Sequence, residues 1–504
     1  MDTNYEQTSL LHEQDSIVHR SVECLGLTFD SDDARRAYFL EILQEKLRDP
    51  EFRKIEGFPI GDDEDLLALS DPPYYTACPN PFIEDFIKYY GKPYSPDIPY
   101  GREPFAADVS EGKNDPIYNA HSYHTKVPHK AIMRYILHYT DPGDIVFDGF
   151  CGTGMAGVAA QMCGDGRVIE SLGYKVSSDG TILNDGNLPF SKLGSRHVIL
   201  NDLSPAATFI AYNYNMPTSV EEFQQTAKRV LEEAETECGW MYLTLHRPQP
   251  TQIQKAILLL NSENSTLKSQ HPELPWGRVN YVIWSDIFIC RECTAEIVFW
   301  DVAVNQQAGT IQEKFECPRC QVLLTKRSIE HAFVNKFDKA INQAVRQAKQ
   351  VPVLINYNIG NKRFEKKPDA FDFALLEKID TIDSPNLFPI NRMLEGDEAR
   401  RNDDIGITHV HHFYTKRNLH VLGSCYNHSS NPHIKWSITG VMQRASKQHQ
   451  IAITRIGGEK ANQGGATAGH RRGTLYVPSN QVEFHPFELL TERWKIISKS
   501  LRNR

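Results

Sequence analysis

The sequence predicts an α/β fold: an open sheet carrying a glycine loop, an inserted cysteine hairpin and a C-terminal α+β region. Three observations predict it. Val146 to Gly157 reads as a strand, an acid, a glycine-rich turn and a helix start. Cys290, Cys293, Cys317 and Cys320 form two C-x-x-C knuckles. From Val351 onward, strand signals alternate with polar loops. The implied boundaries are an N-terminal helical segment over 1–57, the α/β core over 58–215, a helical linker over 216–280, the cysteine hairpin over 281–325 and the C-terminal region over 326–504.

Composition excludes several classes. A chain of 504 residues can build two to four domains with real cores. Its 40% hydrophobic and 24% charged content is that of a soluble globular protein. No apolar run is long enough for a membrane span. The N-terminal residues lack a basic region and an apolar core, so no secretory signal is read and a cytoplasmic location is expected. A net charge of −9 means that any nucleic-acid contact must come from local basic patches.

The elements follow in chain order. Asp33 to Leu47 has helical spacing of apolar positions. The apolar run Leu66 to Leu69 reads as a strand leading into Asp71, Pro72, Pro73, Tyr74 and Tyr75. Two prolines make a stiff turn there. His121 to Lys130 leads into a helix over Ala131 to Tyr139; His121 and His129 read as polar loop residues. Ile145 to Phe147 suits a buried parallel strand closed by Asp148. Gly149, Phe150, Cys151, Gly152 and Gly154 form the next turn, where glycines let backbone approach a ligand at the carboxyl end of the strand. Cys163 to Ser195 carries the turn signals of an inserted hairpin. Arg196 to Asp202 is the following strand, ending in Asp202 with Asn201 as the alternative polar terminus. Ser219 and Glu222 form a capping box that opens a helix to about Thr236.

The paired knuckles have the ligand set of a closed, structural zinc site. The other six cysteines read as small buried hydrophobes. Thr325 to Gln350 reads as one long helix. Gln443 to Arg472 holds Arg444, Lys447, Arg455, Lys460, Arg471 and Arg472 against the single acid Glu459. That composition serves a phosphate-contacting loop and a plain solvated loop equally well. The basic end, Arg493 to Arg504, reads as a charged helix terminus.

The turn at Asp71 to Tyr75 and the glycine loop together resemble the amino-directed DNA methyltransferases. The knuckles and Thr408 to Asn418 narrow this to the zinc-ribbon-containing adenine-specific DNA methylases of bacteria. The resemblance implies a Rossmann-like S-adenosylmethionine-dependent methyltransferase fold. It implies methylation of an exocyclic amine of a flipped DNA base, adenine N6 ahead of cytosine N4. Asp71 would accept an N–H of that amine, the Pro72 carbonyl the second, and Tyr74 would stack on the base. Cys151 as a ring-carbon nucleophile is disfavoured by Asp71. The donor would be held by Lys126, Asp148, Gly149, Phe150, Cys151, Gly152 and Gly154, with Asp202 on its ribose. DNA is the implied partner, with a restriction or phage-defence protein as a further one. Such enzymes usually carry another Asp-Pro-Pro-aromatic motif in a C-terminal part; here there is one, at Asp71, which points to a truncated or split member. A non-catalytic DNA-binding fragment and an RNA methyltransferase are the competing readings.

Overall fold

The computed structural model describes residues 21–93, 95–262, 267–383, 388–455 and 467–503. The chain divides into two compact units, 1–113 with 123–216, and 114–122 with 217–504.

In the first unit a short antiparallel hairpin, Val22–Cys24 and Leu27–Phe29, precedes helix α1, Asp32–Leu47. Ser31 caps it by accepting the Ala34 N–H, and Asp32 and Asp33 sit in its positively polarised first turn. Its buried positions are Arg35, Phe39, Leu43 and Leu47. They recur every fourth residue, so they form one stripe. Phe39 and Leu43 join Cys24 and Phe82 in a core cluster. Arg35 is the charged member of the same stripe. Asp63–Leu69 is helix α2, not the expected strand. Three acids in its first turn favour that helix, and the apolar run is too short to specify a strand by itself.

Helix α3, His129–Tyr139, precedes strand β1, Ile145–Asp148, and helix α4, Met155–Met162. Strand β2, His197–Leu200, runs parallel to β1, pairing Ile145 with His197 and Asp148 with Leu200. Between α4 and β2 lies a three-stranded antiparallel sheet, Lys175–Val176, Thr181–Leu183 and Pro189–Lys192, where turn residues signalled a hairpin. Helix α5, Pro205–Asn215, closes the unit. Among the described residues the parallel sheet has two strands. Phe147, on β1, is 69% exposed, unusual for a parallel strand.

The second unit is organised by a long strand, β3, Trp276–Ile289. Its Val282, Ile283, Ile287 and Phe288 are buried, which places it inside a nine-stranded sheet. Cys290 follows β3 directly, so the cysteine hairpin grows out of this sheet. The long helix expected over Thr325 to Gln350 is absent. Strands β4, Phe333–Asp338, and β5, Gln343–Ala348, form an antiparallel hairpin there. Asp338 accepts the Ala340 N–H and Asn342 takes a positive φ of 52°, so local turn chemistry defeats the helical pattern. Strand β6, Gln350–Ile359, then pairs with β3. Helix α6, Lys416–Asn427, is capped by Thr415, and strand β7, Asn480–Phe484, returns to β3. The Arg417–Glu483 ion pair, at 2.5 Å with both side chains buried, ties α6 to β7. Of the basic segment, residues 456–466 lie outside the described residues, Lys460 among them; Arg444 pairs with Glu492.

Burial alone would raise the Glu483 carboxyl, but Arg417 outweighs it and holds the group below its ordinary range. A depressed folded-state pKa stabilises above the unfolded value and loses that contribution as pH falls. Glu483→Gln is therefore expected to cost about 3–5 kcal/mol at pH 7, with a smaller difference from wild type at pH 4. Urea denaturation at both pH values checks this; an equal difference at both would contradict the charge pairing.

Candidate active site

Asp71 sits in a closed turn just beyond α2. Its N–H donates to the Tyr75 carbonyl at 2.9 Å, and the Tyr75 N–H donates back at 3.0 Å. Pro72, Pro73 and Tyr74 fill that loop, and the Pro72–Pro73 bond is cis. The Ser70 hydroxyl donates to the Leu66 carbonyl and accepts the Ala77 N–H, pinning the turn to the end of α2. Tyr74 is 45% exposed, with its ring beside Phe86.

Asp71 itself is 3% exposed, and its oxygens have internal partners. Arg35 Nη1 donates to Asp71 Oδ1 at 2.8 Å and to the Pro72 carbonyl at 2.6 Å. The guanidinium carbon lies 4.8 Å from the Tyr74 ring centre. The other face of Arg35 grips Asp32 through Nε and Nη2 at 2.8–3.0 Å. The Tyr212 hydroxyl donates to Asp71 Oδ2 at 3.1 Å. Burial and the Asp71 charge push the Tyr212 hydroxyl well up, so it stays a donor. Sequence reading missed both partners. Arg35 is spaced for a local pair with Asp32, and nothing local announces a contact 36 residues away.

The glycine loop joins β1 to α4. The Cys151 N–H donates to the Asn201 carbonyl at 2.9 Å, and the Asn201 N–H to the Asp148 carbonyl at 2.9 Å. Asp202 accepts the Gly152 N–H at 2.9 Å with one carboxylate oxygen and the Ser204 N–H at 2.9 Å with the other. Asp202 thus builds the loop, a role beyond the expected ribose contact. Asn201 is exposed, and its amide donates to the Gly149 carbonyl at 3.3 Å. Phe150 is 85% exposed at the loop tip. Burial, with Asp148 and Asp202 nearby, pushes the Cys151 thiol up to about 12, so it is no thiolate nucleophile.

Gly154 has a φ of +69°, and a Cβ there would meet the Ala211 Cβ at 2.7 Å. Asn215 donates to the Gly154 carbonyl at 3.1 Å. One face of α5 therefore fixes the loop, while Tyr212 of the same helix reaches Asp71 and stacks on Tyr75 at 4.5 Å. Lys126 Nζ approaches the Tyr214 hydroxyl at 3.3 Å. The expected loop histidines are buried instead: His121 stacks on Trp436, and His129 is the first residue of α3. A cavity of about 740 Å³ beside Asp108, Arg134, Tyr174 and Asn184 contains none of the expected site residues.

The four cysteines meet in the second unit. Cys290 and Cys320 sulfurs are 3.8 Å apart, and those of Cys293 and Cys317 are 3.6 Å apart. Four thiolates about 2.3 Å from a tetrahedral zinc would be separated by about 3.8 Å, so the set fits that ion. Thr294 and Gln321, each directly after a knuckle, take φ of 58° and 62°. Their N–H groups donate to the Cys290 and Cys317 carbonyls at 2.8 and 2.9 Å, so the two knuckles share one geometry.

Residues 102–177 match a family model described as DNA methylase. The match supports assignment to the N6/N4 DNA methyltransferases, and a methyltransferase activity with it. It spans Lys126 and the glycine loop; Asp71, Asp202 and the knuckles lie outside it. No curated protein and no solved structure matches the chain.

Purified, reduced protein is expected to hold zinc on the four cysteines. Cys317→Ser should lose that ion and lower the thermal midpoint of the second unit. Elemental analysis finding equal zinc in wild type and variant would exclude the assignment.

Proposed function

We propose that the protein methylates an exocyclic amino nitrogen of a DNA base, adenine N6 ahead of cytosine N4, from S-adenosylmethionine. The observation that carries this is the loop from Asp148 to Gly154, which closes a parallel strand inside the segment matching the DNA methylases. Gly152 and Gly154 form a cradle that side chains would fill or strain. Lys126, Asp148, Gly149, Phe150, Cys151, Gly152, Gly154 and Asp202 would hold the donor. That donor supplies an electrophilic methyl group on sulfonium sulfur.

The acceptor side is the turn at Asp71, and Arg35 previews how it works. Its Nη1 is an sp²-bound NH₂ group giving two hydrogens to the Asp71 carboxylate and the Pro72 carbonyl, with its plane carbon near Tyr74. An adenine or cytosine amine has the same donor pattern. The flipped base takes the Nη1 place, and Arg35 retains Asp32 through Nε and Nη2. Asp71 then stabilises the positive charge that builds on the amine and accepts its proton.

A second reading has its own observation. Asp71 is buried with Arg35 and Tyr212 on its oxygens, the pattern of a structural carboxylate. In that case the chain binds DNA without turnover, and the turn at Asp71 is a brace.

Calorimetry should show S-adenosylmethionine binding in wild type and none in Gly154→Val, because valine strains φ and strikes Ala211. Unchanged affinity would overturn the loop assignment. With tritiated donor and mixed-sequence DNA, Asp71→Asn should lose methyl transfer while binding the donor normally. Tyr74→Ala should weaken base capture by roughly 1–3 kcal/mol, and Tyr74→Phe much less. Full activity in Asp71→Asn would remove the acceptor role and favour the brace.

A further inference from the structure

A second cluster of metal-ligand side chains stands in the second unit, apart from the cysteines. We propose that Asp338, His411 and His412 form a binding site for a divalent first-row transition-metal ion. His411 Nε2 and His412 Nε2 lie 2.7 and 2.8 Å from one oxygen, Asp338 Oδ2. One ligand atom from each residue lies within 4.8 Å of the other two. Both imidazoles are buried.

The fold builds this convergence from rigid parts. Asp338 ends β4, and its Oδ1 accepts the Ala340 N–H at 3.0 Å, which aims Oδ2 at the histidines. His411 and His412 lie on a 3₁₀ turn, Val410–Phe413. Behind that turn, Thr415 caps α6 and bonds to buried Glu483. Ahead of it, Gly406 has a φ of +77°, and a Cβ there would meet the Arg346 carbonyl oxygen at 2.0 Å. The segment before the histidines is thus pressed against hairpin β4–β5, which carries Asp338. The nearby ammonium groups have other partners: Lys339 pairs with Asp383 at 2.6 Å, and Lys416 donates to the Asp380 carbonyl at 2.7 Å.

Hydrogen bonds alone could also join two imidazoles to one carboxylate oxygen, and the tautomers distinguish the cases. As ligands, the Nε2 atoms present lone pairs and the protons sit on Nδ1. His411 Nδ1 makes no hydrogen bond among the described residues, so nothing locks its proton away from that position. His412 Nδ1 accepts the Thr408 N–H at 3.2 Å in the carboxylate-bound form. In the metal-bound form Nδ1 carries the proton, so the Thr408 N–H gives up that acceptor and the Thr408 hydroxyl, 3.5 Å from the same nitrogen, accepts instead. Two imidazoles and a carboxylate suit zinc, iron, cobalt or nickel better than magnesium or calcium. Three protein ligands leave coordination positions open for water or an anion, unlike the closed four-thiolate site.

Cobalt(II) separates the two sites, because thiolate ligation gives intense sulfur-to-metal charge transfer and nitrogen–oxygen ligation gives weak ligand-field bands. Metal-free full-length protein titrated with cobalt should bind two ions. The His411→Ala, His412→Ala double variant should bind one and keep the charge-transfer band. Cys317→Ser should bind one and lose that band. Asp338→Asn, which keeps the side-chain shape, should weaken the second site by at least about tenfold, the loss that even an outer-shell change produces. Its metal-free thermal midpoint should stay near wild type. A single cobalt in wild type, or two in the double histidine variant, would overturn the proposal.

Discussion

Helix α5 is the element on which the candidate active site depends. Ala211 and Asn215 hold Gly154, and through it the glycine loop. One residue along, Tyr212 turns to the other side and holds Asp71. A helix places neighbouring residues about 100° apart, so one rigid rod can serve two loops distant in sequence. The glycine loop and the turn at Asp71 are set by the same backbone. A change at α5 would therefore disturb both.

Arg35 gives the turn at Asp71 its electrostatic balance. A buried carboxylate without a partner is costly, and a buried guanidinium more so. Each neutralises the other, with Asp32 completing the set at the helix start. The same contact fills the atoms that a target amine needs. A turn that binds a planar NH₂ group within its own chain has the hydrogen-bonding chemistry to bind one from a base. The exchange of one for the other is the physical core of the proposed function.

Local chemistry was legible in the sequence where it was complete within a few residues. The glycine loop, the helix after Ser219 and the paired knuckles all carry their signals in adjacent positions. Where two short-range signals competed, the apolar or helical pattern misled. The run at Leu66 to Leu69 looks apolar enough for a strand, yet it forms a helix under three preceding acids. The polar stretch from Thr325 has helical composition, but Asp338 and Asn342 fold it into a hairpin. Arg35, Tyr212 and Asp338 acquire their roles only when far segments meet. Among the charged and polar positions, tertiary pairing decided the outcome more than propensity did.

In the proposed function this chain modifies amino groups in DNA through the loop at Asp148 to Gly154 and the turn at Asp71. The decisive measurement is nucleoside mass spectrometry of DNA from cells expressing the chain, against cells without it. N6-methyladenine, or failing that N4-methylcytosine, should rise above background only where the protein is present. DNA without either base, from cells whose purified protein binds S-adenosylmethionine, would contradict that function.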